Sequence, residues 1–402
     1  MINVIGQGYI GLPTALMFSA HGIDVVGTDL DEEKINKLNN GELTFKEKGL
    51  NETYKKALEK GIKFSTEYHK TDTYIICVPT PYDEKSKRLD PKYVISAVND
   101  CLDVSGKEPI IVIESTVSPG THDKYIRPIF EKRGLTLGKD VHLVHAPERI
   151  LPGNMIHELV NNARTIGADD QKIGEKVRDY YKSFCKADIV VTDIKTAEMT
   201  KVVENTFRDI NIAFANELAK ICREDDMDVY EIIRIANMHP RVNILNPGPG
   251  VGGHCISVDP WFLVGDYPDL TNLILTARHV NNSMPVHVLE RINSIMNENN
   301  IKDYSKVGIY GLTYKENVDD TRESPSLQLM ELIKGVKSYD PFIEKDIVDF
   351  QYHDFDKFID EVEIIVVLVN HKEIIDNKDK LRDKLILDTK NILESSEKVY
   401  KL

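Results

Sequence analysis

A cysteine lies just after a loop that is unsuited to regular secondary structure. Between Asn246 and Gly253 the chain has four glycines and two prolines, and Cys255 follows shortly after. Glycine raises the entropic cost of ordering the backbone and proline lacks an amide donor, so this stretch disfavours a helix or a central strand. Such a loop lets the backbone approach a ligand closely, whereas structural thiols are usually buried in apolar elements. We therefore predict that Cys255 is a nucleophile.

A carboxylate, Asp259, follows this cysteine and has two interpretations. Asp259 precedes Pro260 and an apolar run. That pattern is typical of a helix start, with aspartate as the N-cap and proline as the first helical residue. The carboxylate could equally assist proton transfer near Cys255. The two roles are compatible, and we predict a catalytic contribution from Asp259.

A second group of polar residues falls on a predicted long helix, from about Lys195 to Arg223. Their spacing of i, i+3, i+7 and i+10 places four of them on one face: Glu198, Lys201, Asn205 and Arg208. A polar stripe usually faces solvent, but here the opposite face is rich in alanine, valine and phenylalanine. Asparagine is also a poor helix former that adds nothing on a solvent face. We predict that Lys201 and Asn205 hold a substrate oxygen or a water during proton transfer.

The start of the chain has the pattern of a dinucleotide-binding unit. A strand at Ile2–Ile5 leads into a GxGxxG sequence and a helix, and the next strand ends in Asp29. In such a unit Gly6 makes the tight turn, Gly8 lets the backbone meet a pyrophosphate, and Gly11 packs the helix on the sheet. The helix N-terminus supplies amide donors to the phosphates. Asp29 would accept hydrogen bonds from the adenosine ribose, which favours NAD.

Three further polar residues follow predicted strands of the same sheet. Thr80, Thr116 and Glu148 each lie just after an apolar run. Because ligands of open α/β sheets bind beyond the carboxyl ends of the strands, each is placed to line the cofactor cleft. Each of them alone could also be an ordinary polar loop residue. His142 and His145 do not suggest a metal site, since a strand puts residues three apart on opposite faces, and we predict no metal.

The C-terminal part repeats the α/β alternation. Lys306–Thr313 opens a second, smaller unit, and the connection after its first strand carries Lys315 and Arg322, which suit phosphate oxygens. The predicted fold is α/β, with two Rossmann-like doubly wound domains joined by a central long-helix segment. We assign 1–194 to an NAD-binding domain, 195–300 to a helical dimerisation segment with the cysteine loop, and 301–402 to the second Rossmann-like domain.

Composition limits the partners. The chain has 402 residues and a formal net charge of -14, which argues against nucleic acid or an anionic membrane as a partner. Its apolar runs are strand-sized, and Met1 leads straight into a strand pattern rather than a leader. Its five scattered cysteines, with no CxxC, fit a reducing cytoplasm.

Taken together, these motifs resemble those of the UDP-glucose/GDP-mannose dehydrogenase family, and the resemblance covers nearly the whole chain. Family members oxidise the C6 alcohol of a nucleotide sugar to a carboxylate with two NAD per sugar. The resemblance therefore implies a UDP-sugar substrate, NAD as cofactor and Cys255 as the nucleophile. The catalytic residues it implies are Cys255, Lys201, Asn205, Asp259, Glu148 and Thr116.

The resemblance also implies the ligand contacts. The expected cofactor residues are Gly6, Gly8, Tyr9, Ile10, Gly11, Asp29, Lys34, Thr80, Thr116 and Arg322. The expected substrate residues are Glu148, Arg149, Leu151, Lys201, Asn205, Arg208, Arg241, Asn243, Gly250, Gly252 and Lys315. Arg241 resembles an arginine that reaches the substrate of a neighbouring subunit, so we expect a homodimer or a dimer-based homo-oligomer.

One departure from the family pattern bears on the sugar. UDP-glucose dehydrogenases have Phe-Leu-x-Glu after the residue that matches Glu148, where this chain has Arg149 to Pro152 without the second glutamate. This difference favours an N-acetylated sugar. The stretch from His239 to Trp261 looks most like the members that oxidise UDP-N-acetyl-D-mannosamine. UDP-N-acetylglucosamine, UDP-N-acetylgalactosamine and UDP-glucose stay open as alternatives.

Two other functions compete with this reading. A two-electron hydroxyacid or 6-phosphogluconate-type dehydrogenase would share the NAD-binding half and a Lys–Asn helix. It would need neither the cysteine loop nor a second nucleotide-type half. A non-catalytic redox sensor could bind NAD and use Cys255 as a reactive thiol, although nothing that resembles a resolving cysteine lies nearby in the sequence.

Overall fold

The computed structural model of the chain describes residues 1–253 and 255–402. Residue contacts divide it into two compact units, Met1–Glu204 and Asn205–Leu402. Each unit contains one sheet of mainly parallel strands, which confirms the predicted α/β class with two doubly wound sheets. The predicted segments 1–194, 195–300 and 301–402 stay a prediction. Within the described residues, no helix is both long enough and apolar enough to cross a lipid bilayer.

The first unit is built on eight strands: β1 (Ile2–Ile5), β2 (Val25–Thr28), β3 (Lys63–Ser65), β4 (Thr73–Ile76), β5 (Ile110–Ile113), β6 (His142–His145), β7 (Arg164–Ala168) and β8 (Ile189–Thr192). They form one sheet in the order β3-β2-β1-β4-β5-β6-β7-β8. Only the pair β6 and β7 is antiparallel. Strands β1, β4 and β5 are buried along their whole length, as expected for strands covered by helices on both faces.

The helices of this unit connect the strands. They are α1 (Gly11–Ala20), α2 (Glu32–Asn39), α3 (Leu50–Glu59), α4 (Lys92–Val104), α5 (Arg127–Lys132), α6 (Met155–Asn161) and α7 (Gln171–Tyr181). A π-helical turn, His122–Ile126, precedes α5. The chain then enters the long helix α8 (Ile194–Glu224), which agrees with the predicted helix from about Lys195 to Arg223.

The second unit has six strands: β9 (Val307–Tyr310), β10 (Lys337–Tyr339), β11 (Gln351–Tyr352), β12 (Ile364–Val367), β13 (Leu385–Asp388) and β14 (Val399–Lys401). They are all parallel, in the order β11-β10-β9-β12-β13-β14. The remaining helices are α9 (Val229–Ala236), α10 (Asp259–Asp266), α11 (Asn272–Asn282), α12 (Met284–Glu298), α13 (Pro325–Leu332), α14 (Phe355–Asp360) and α15 (Lys372–Asp376). Short 3₁₀ turns lie at Tyr304–Lys306 and Lys378–Leu381.

Strand β12 shows how the second sheet is buried on both faces. Ile364 and Val366 pack in one apolar cluster with residues of α12, whereas Ile365 and Val367 pack in another with residues of α14. Alternate side chains of a strand point to opposite faces, so an unbroken apolar run fills two cores at once. This is why the strand reads as a continuous hydrophobic stretch in the sequence.

One predicted helix is wrong. The sequence predicts a single helix from about Asn272 to Asn299, but the structure has α11 and α12, separated at Ser283. Pro285 lies in the first turn of α12. Proline has no amide hydrogen and its ring clashes with the carbonyl four residues earlier, so it cannot continue the hydrogen-bond ladder of α11.

Candidate active site

The turn between β1 and α1 has the geometry of a dinucleotide-binding loop. Gly6 has a φ of +89°, and a Cβ there would lie 2.7 Å from the Cys77 carbonyl oxygen. A Cβ at Gly11 would lie 1.8 Å from the Gly6 oxygen, whereas one at Gly8 would meet nothing within 4 Å. Gly6 thus makes the turn, Gly11 allows close packing, and Gly8 leaves space in front of the loop, in agreement with the predicted roles.

This loop also has donors available for a pyrophosphate. Helix α1 begins at Gly11 without a side-chain cap and without an acidic residue in its first turn, so its N-terminal amides and positive dipole end suit an anion. The ring of Tyr9 packs against Phe45, with 4.5 Å between the centroids, which fixes one side of the loop. Together with the open space at Gly8, these residues fit the pyrophosphate of NAD.

Asp29 lies directly after β2, at the edge of the same loop. Its Oδ2 accepts hydrogen bonds from the Gln7 amide at 2.7 Å and from Lys34 Nζ at 2.8 Å. The structure therefore brings together Asp29 and Lys34, which the sequence proposes as cofactor residues. The bond to Gln7 also ties the acidic side chain to the glycine loop, so its position is set by the fold.

Thr80 and Thr116 follow the neighbouring strands β4 and β5. Thr80 is buried and Thr116 is half-buried. Ser115 Oγ donates to the Val78 carbonyl at 2.7 Å, which links the two segments. Further along the second segment, Gly120 and His122 donate their amides to the carboxylate of Glu198, which is on α8. A helix residue that the sequence could only assign to a polar stripe therefore anchors the Thr116 loop.

A buried network surrounds Glu148. Its Oε1 accepts the amide of Arg149, and its Oε2 accepts a guanidinium hydrogen of Arg164. The same guanidinium donates from Nη2 to Glu114 Oε1 at 2.7 Å. Its carbon lies 4.0 Å from the centroid of the Tyr181 ring. Arg164 opens β7, and because β7 runs antiparallel to β6, its first residue meets the segment that leaves the carboxyl end of β6.

Burial dominates the electrostatics of this network. It raises the pKa of the Glu114 carboxyl to about 7, with Arg164 opposing that shift and Glu148 adding to it. Burial also raises the pKa of the Cys77 thiol, which donates to Glu114 Oε2 at 3.0 Å, and that of the Tyr181 hydroxyl, which donates to Glu114 Oε1. Arg164 and Glu114 are not among the site residues that the sequence predicts. The only signal is a charged residue at the head of the apolar run Arg164–Ala168.

On α8, the predicted polar face is only partly correct. Glu198, Lys201 and Asn205 are buried, so they do not form a solvated stripe, but Arg208 is exposed. Asp209 is the buried position one residue later, where Arg278 Nη1 meets its carboxylate at 2.6 Å. The spacing of 3.6 residues per turn drifts away from residue 208 over this distance.

Asp259 is not an N-cap. Helix α10 begins at Asp259 itself, Val258 occupies the cap position, and no side chain caps the helix. The buried Asp259 Oδ2 instead accepts a hydrogen bond from Asn205 Nδ2 at 2.6 Å. The structure thus joins two of the proposed catalytic residues directly. A buried carboxylate needs such a donor, which outweighs the local preference of aspartate for capping.

The glycines of the cysteine loop are required by close packing within the protein. A Cβ at Gly252 would lie 2.7 Å from both the Glu323 oxygen and Tyr314 Cβ, and one at Gly253 would lie 2.7 Å from the Tyr314 ring. The Gly253 amide donates to the Arg322 carbonyl at 2.9 Å. The sequence predicts that this backbone closely approaches another group. At these two positions, that group is the protein's own connection after β9. A Cβ added at Gly250 would similarly lie 3.1 Å from Pro325 Cβ.

Cys255 leaves this packed segment as a partly exposed thiol. Its carbonyl accepts the amides of Val258 at 3.2 Å and Asp259 at 2.9 Å, so the residue forms the turn that enters α10. The positive end of a helix favours a thiolate. The structure therefore supports the predicted accessibility of this sulfur, while its role as nucleophile stays a prediction.

Three asparagines hold the segment before the cysteine loop. Asn211 binds the Asn243 carbonyl at 2.8 Å and the Leu245 amide at 2.9 Å, and Asn237 binds both backbone groups of Ile244. Asn216 Oδ1 accepts the amide of Gly248 at 2.9 Å. The side-chain amides of these residues hold backbone groups of the segment in place. This explains why the long helix has asparagine at positions 211 and 216. The sequence alone does not identify the backbone partners of these asparagines.

The remaining proposed ligand residues are placed as follows. Arg241 and Asn243 are exposed, and Lys315 is half-buried. The guanidinium of Arg322 is paired with Asp320. In the first unit, Arg149 binds the Ala163 carbonyl and Thr165 Oγ1 at 2.9 Å each and also pairs with Glu204, whereas the Leu151 amide binds Glu158.

One further cation was missed. Lys390 follows β13, and burial lowers the pKa of its ammonium group. A Cβ added to Gly248 would lie 3.7 Å from its Nζ, so Lys390 borders the glycine loop at the carboxyl ends of the second sheet. No group of three or more histidine, cysteine, aspartate or glutamate residues suited to a metal ion occurs in the part of the chain that the structure describes.

Domain patterns of one family match the chain in order. The NAD binding domain of the UDP-glucose/GDP-mannose dehydrogenase family matches residues 1–185. The central domain of that family matches residues 195–283, and its UDP binding domain matches residues 308–395. The match to the NAD binding domain confirms the predicted cofactor.

Individual relatives resemble the chain over nearly its full length. It is 46% identical to the UDP-N-acetyl-D-mannosamine dehydrogenase of Methanococcus vannielii, across 98% of this chain and 93% of that protein. The solved structure of the UDP-N-acetyl-mannosamine dehydrogenase of Staphylococcus aureus has a TM-score of 0.89 and 41% identity, covering 100% of this chain and 98% of that one. The UDP-D-ManNAc dehydrogenase structure of Pyrococcus horikoshii has a TM-score of 0.92 and 36% identity, covering 100% and 99%.

The raised pKa of Glu114 predicts a pH-dependent stability. Its folded pKa of about 7 lies above the ordinary value of 4.5, so the unfolded chain loses this proton at lower pH than the native state. The contribution therefore destabilises the native protein increasingly between about pH 4.5 and about pH 7. In Glu114→Gln this contribution is absent. We expect the free energy of unfolding of the variant, minus that of the wild type, to rise across this window and then level off.

Denaturant unfolding at a series of pH values measures this difference. Glu131→Gln, a change at an exposed glutamate, is the matched control for the chemical substitution. A difference between Glu114→Gln and the wild type that stays constant from pH 4.5 to pH 7 would contradict the assignment.

Proposed function

Because the chain belongs to the UDP-glucose/GDP-mannose dehydrogenase family, we propose that it oxidises UDP-N-acetyl-D-mannosamine at C6 to UDP-N-acetyl-D-mannosaminuronate. The reaction uses two NAD per sugar. The observation that supports this substrate is the near full-length similarity to dehydrogenases that bear its name. The absence of a glutamate in Arg149–Pro152, where UDP-glucose dehydrogenases have one, supports an N-acetylated sugar.

The first oxidation removes a hydride and a proton from the C6 alcohol. NAD, when bound, accepts the hydride in each of the two oxidation steps. Lys201 and Asn205 hold the hydroxyl oxygen and a water that takes the proton. Asn205 is well oriented for this, because Asp259 fixes its amide nitrogen at 2.6 Å and so leaves its carbonyl oxygen or remaining hydrogen for the substrate or water. Thr116, half-buried after β5, is assigned to the cofactor cleft of the first unit.

The second oxidation depends on a covalent bond to Cys255. The thiolate adds to the C6 aldehyde to give a thiohemiacetal, which keeps the aldehyde from escaping and carries a hydrogen that can leave as hydride. Loss of that hydride gives a thioester. Lys201 and Asn205 stabilise the oxyanion that forms at C6. Water then hydrolyses the thioester, with Glu148 or Asp259 as the base, and the thiolate is regenerated as the carboxylate product leaves.

Binding of the nucleotide is assigned to both α/β halves. In the first, the pyrophosphate of NAD is held by the glycine loop, which comprises Gly6, Gly8, Tyr9, Ile10 and Gly11. Around them, Asp29 and Lys34 hold its ribose side, and Thr80 and Thr116 line the cleft. In the second, Lys315 meets the UDP-sugar and Arg322 the cofactor, for which Arg322 must exchange its present pairing with Asp320. Arg208, Arg241 and Asn243 are exposed, so they are open to substrate.

We propose that the enzyme is a homodimer or a dimer-based oligomer in the reducing cytoplasm, where thiols persist. Along α8, Phe207, Phe214 and Ile221 are 64%, 49% and 55% exposed. Their spacing of seven residues places them on one helical face, and an apolar face of this kind is typical of an interface. Exposed Arg241 could then reach the neighbouring subunit's substrate.

The dimer proposal predicts the effect of charge on this face. Phe207→Glu combined with Phe214→Glu should halve the mass that sedimentation equilibrium measures, because two carboxylates cannot be buried unpaired. Tyr93→Glu, at an exposed aromatic residue on α4, is the control and should leave the mass unchanged. A wild-type protein that is monomeric at all concentrations would exclude the proposal.

The substrate proposal predicts an order of catalytic efficiency. We expect kcat/KM to be highest for UDP-N-acetyl-D-mannosamine and at least roughly tenfold lower for UDP-N-acetylglucosamine, UDP-N-acetylgalactosamine and UDP-glucose, since a misplaced polar group typically costs 1 to 3 kcal/mol. Initial rates of NADH formation measure this. A higher value for any of the other three sugars would assign the same chemistry to that sugar instead.

The covalent step predicts the behaviour of Cys255→Ser. The serine hydroxyl is far less ionised than a thiol, so the hemiacetal and ester steps should slow by several orders of magnitude and uronic acid should not accumulate. Product analysis by mass spectrometry measures this. Cys222→Ser, a change at a buried cysteine on α8, is the control. Uronic acid formed by Cys255→Ser at the wild-type rate would contradict the thioester route and favour a redox-sensing or other role for the thiol.

A further inference from the structure

The carboxylate of Glu148 is held on both oxygens by neighbouring protein groups. Oε1 accepts the amide of Arg149, and Oε2 accepts Arg164. Each carboxylate oxygen has a second lone pair, so the group can still bind a water. The residue is 6% exposed, so it is not completely enclosed by protein. The Glu148 carboxylate is therefore oriented by the protein but still has lone pairs that can accept a hydrogen bond from water.

Glu114, by contrast, is sealed. It is 1% exposed. Its Oε1 accepts Arg164 Nη2 at 2.7 Å and the Tyr181 hydroxyl at 3.0 Å, and its Oε2 accepts the Cys77 thiol at 3.0 Å. A carboxylate enclosed in this way cannot reach a substrate. Its negative charge stabilises the guanidinium of Arg164, which it faces.

Arg164 is thereby fixed from three directions. Glu114 and Glu148 each bind one terminal nitrogen, and the ring of Tyr181 lies 4.0 Å from the guanidinium carbon. The planar fork of arginine can bridge two carboxylates in this manner, whereas a lysine ammonium cannot match both directions. The side chain is 3% exposed, so the two carboxylates, rather than solvent, provide most of the compensation for its charge.

The network also reaches the dinucleotide loop. Cys77, which donates its thiol hydrogen to Glu114, lies under the glycine turn, where its carbonyl would be 2.7 Å from a Cβ at Gly6 and its own Cβ 3.0 Å from one at Gly11. The chain of contacts therefore runs from the floor of the loop through Glu114 and Arg164 to Glu148. All of these residues belong to the first unit.

We propose that Arg164 is a positioning residue that aims the Glu148 carboxylate at the water of thioester hydrolysis, with Glu114 as its fixed anchor. This proposal rests on the role that the proposed function gives to Glu148. Arg164 does not touch the reacting atoms. It acts by restricting the directions that the Glu148 carboxylate can take, and a displacement of about 1 Å in such a group can cost roughly 10²-fold in rate.

The test requires a variant in which the formal charge of the buried network is the same as in the wild type. Arg164→Met alone leaves two buried carboxylates without a cation, which strongly destabilises the fold. Arg164→Met combined with Glu114→Gln removes one positive and one negative charge, so the formal charge of the network is unchanged. This double variant leaves Glu148 held only by the Arg149 amide. Glu148→Gln and the triple variant with all three changes complete the set.

We expect the double variant to fold, to form the enzyme-bound thioester at nearly the wild-type rate, and to have a steady-state kcat about 10²-fold lower. Rapid-quench mass spectrometry of Cys255 should then show accumulated acyl-enzyme. The KM for NAD should be unchanged. Because Arg164 acts through Glu148, the triple variant should be no slower than Glu148→Gln. The single variant Arg164→Lys keeps a cation at this position, so its kcat should lie between the kcat of the double variant and that of the wild type. Arg133→Met, which removes a surface ion pair with Asp103, is the control and should not change kcat.

Two results would overturn the proposal. One is a folded double variant with wild-type kcat, and the other is a triple variant slower than Glu148→Gln by the full effect of the double variant. These outcomes are separate from failure of the proposed function, which would appear in the wild type as uronic acid made without any acyl-enzyme on Cys255, or as no oxidation of any UDP-sugar.

Discussion

Burying an ionisable group is costly unless a donor or an opposite charge meets it, and this constraint shapes the candidate site in both units. In the first unit, Arg164 meets two carboxylates and a tyrosine ring. In the second, Asn205 meets Asp259, and Arg278 meets Asp209. Each pairing fixes the direction of a functional side chain or of the element that carries it. Rigid placement of reactive groups is therefore a consequence of satisfying buried polar atoms.

The two sheets repeat one strand order but use their acidic residues differently. In each sheet an aspartate follows the strand beside the first one and accepts an amide from the opening turn: Gln7 for Asp29, and Leu312 and Thr313 for Asp340. Asp29 has one further side-chain partner, Lys34. Asp340 also accepts His371 and the Phe342 amide, and it is 2% exposed. The hydrogen bonds of the second aspartate are therefore all to groups inside the protein.

The sequence alone was sufficient to predict the features that depend on local backbone geometry. The glycine spacing at Gly6, Gly8 and Gly11 predicted a turn, an open approach and a close contact, and the backbone has all three. Apolar runs of strand length predicted the two mainly parallel sheets. The mainly apolar opposite face of the long helix predicted that Lys201 and Asn205 would not lie in solvent, and both are buried.

Features that depend on distant partners could not be predicted. Arg164 meets Glu148 only because β7 is antiparallel to β6, and no local pattern specifies that direction. The roles of Asn211, Asn216 and Asn237 depend on backbone groups elsewhere in the chain. Asp259 has the local pattern of a cap, but the buried amide of Asn205 takes its carboxylate. The glycine loop predicts a close backbone approach, but the sequence does not show that a Cβ at Gly252 or Gly253 would meet Tyr314 of the protein itself.

In the mechanism that we propose, two successive oxidations take place on one sugar without release of the aldehyde. The most direct measurement is the amount of NADH formed per mole of limiting UDP-N-acetyl-D-mannosamine, with NAD in excess. We predict two NADH per sugar, with no free aldehyde in solution. One NADH per sugar would contradict this mechanism, because the thioester step would then be absent and the protein would be a two-electron dehydrogenase.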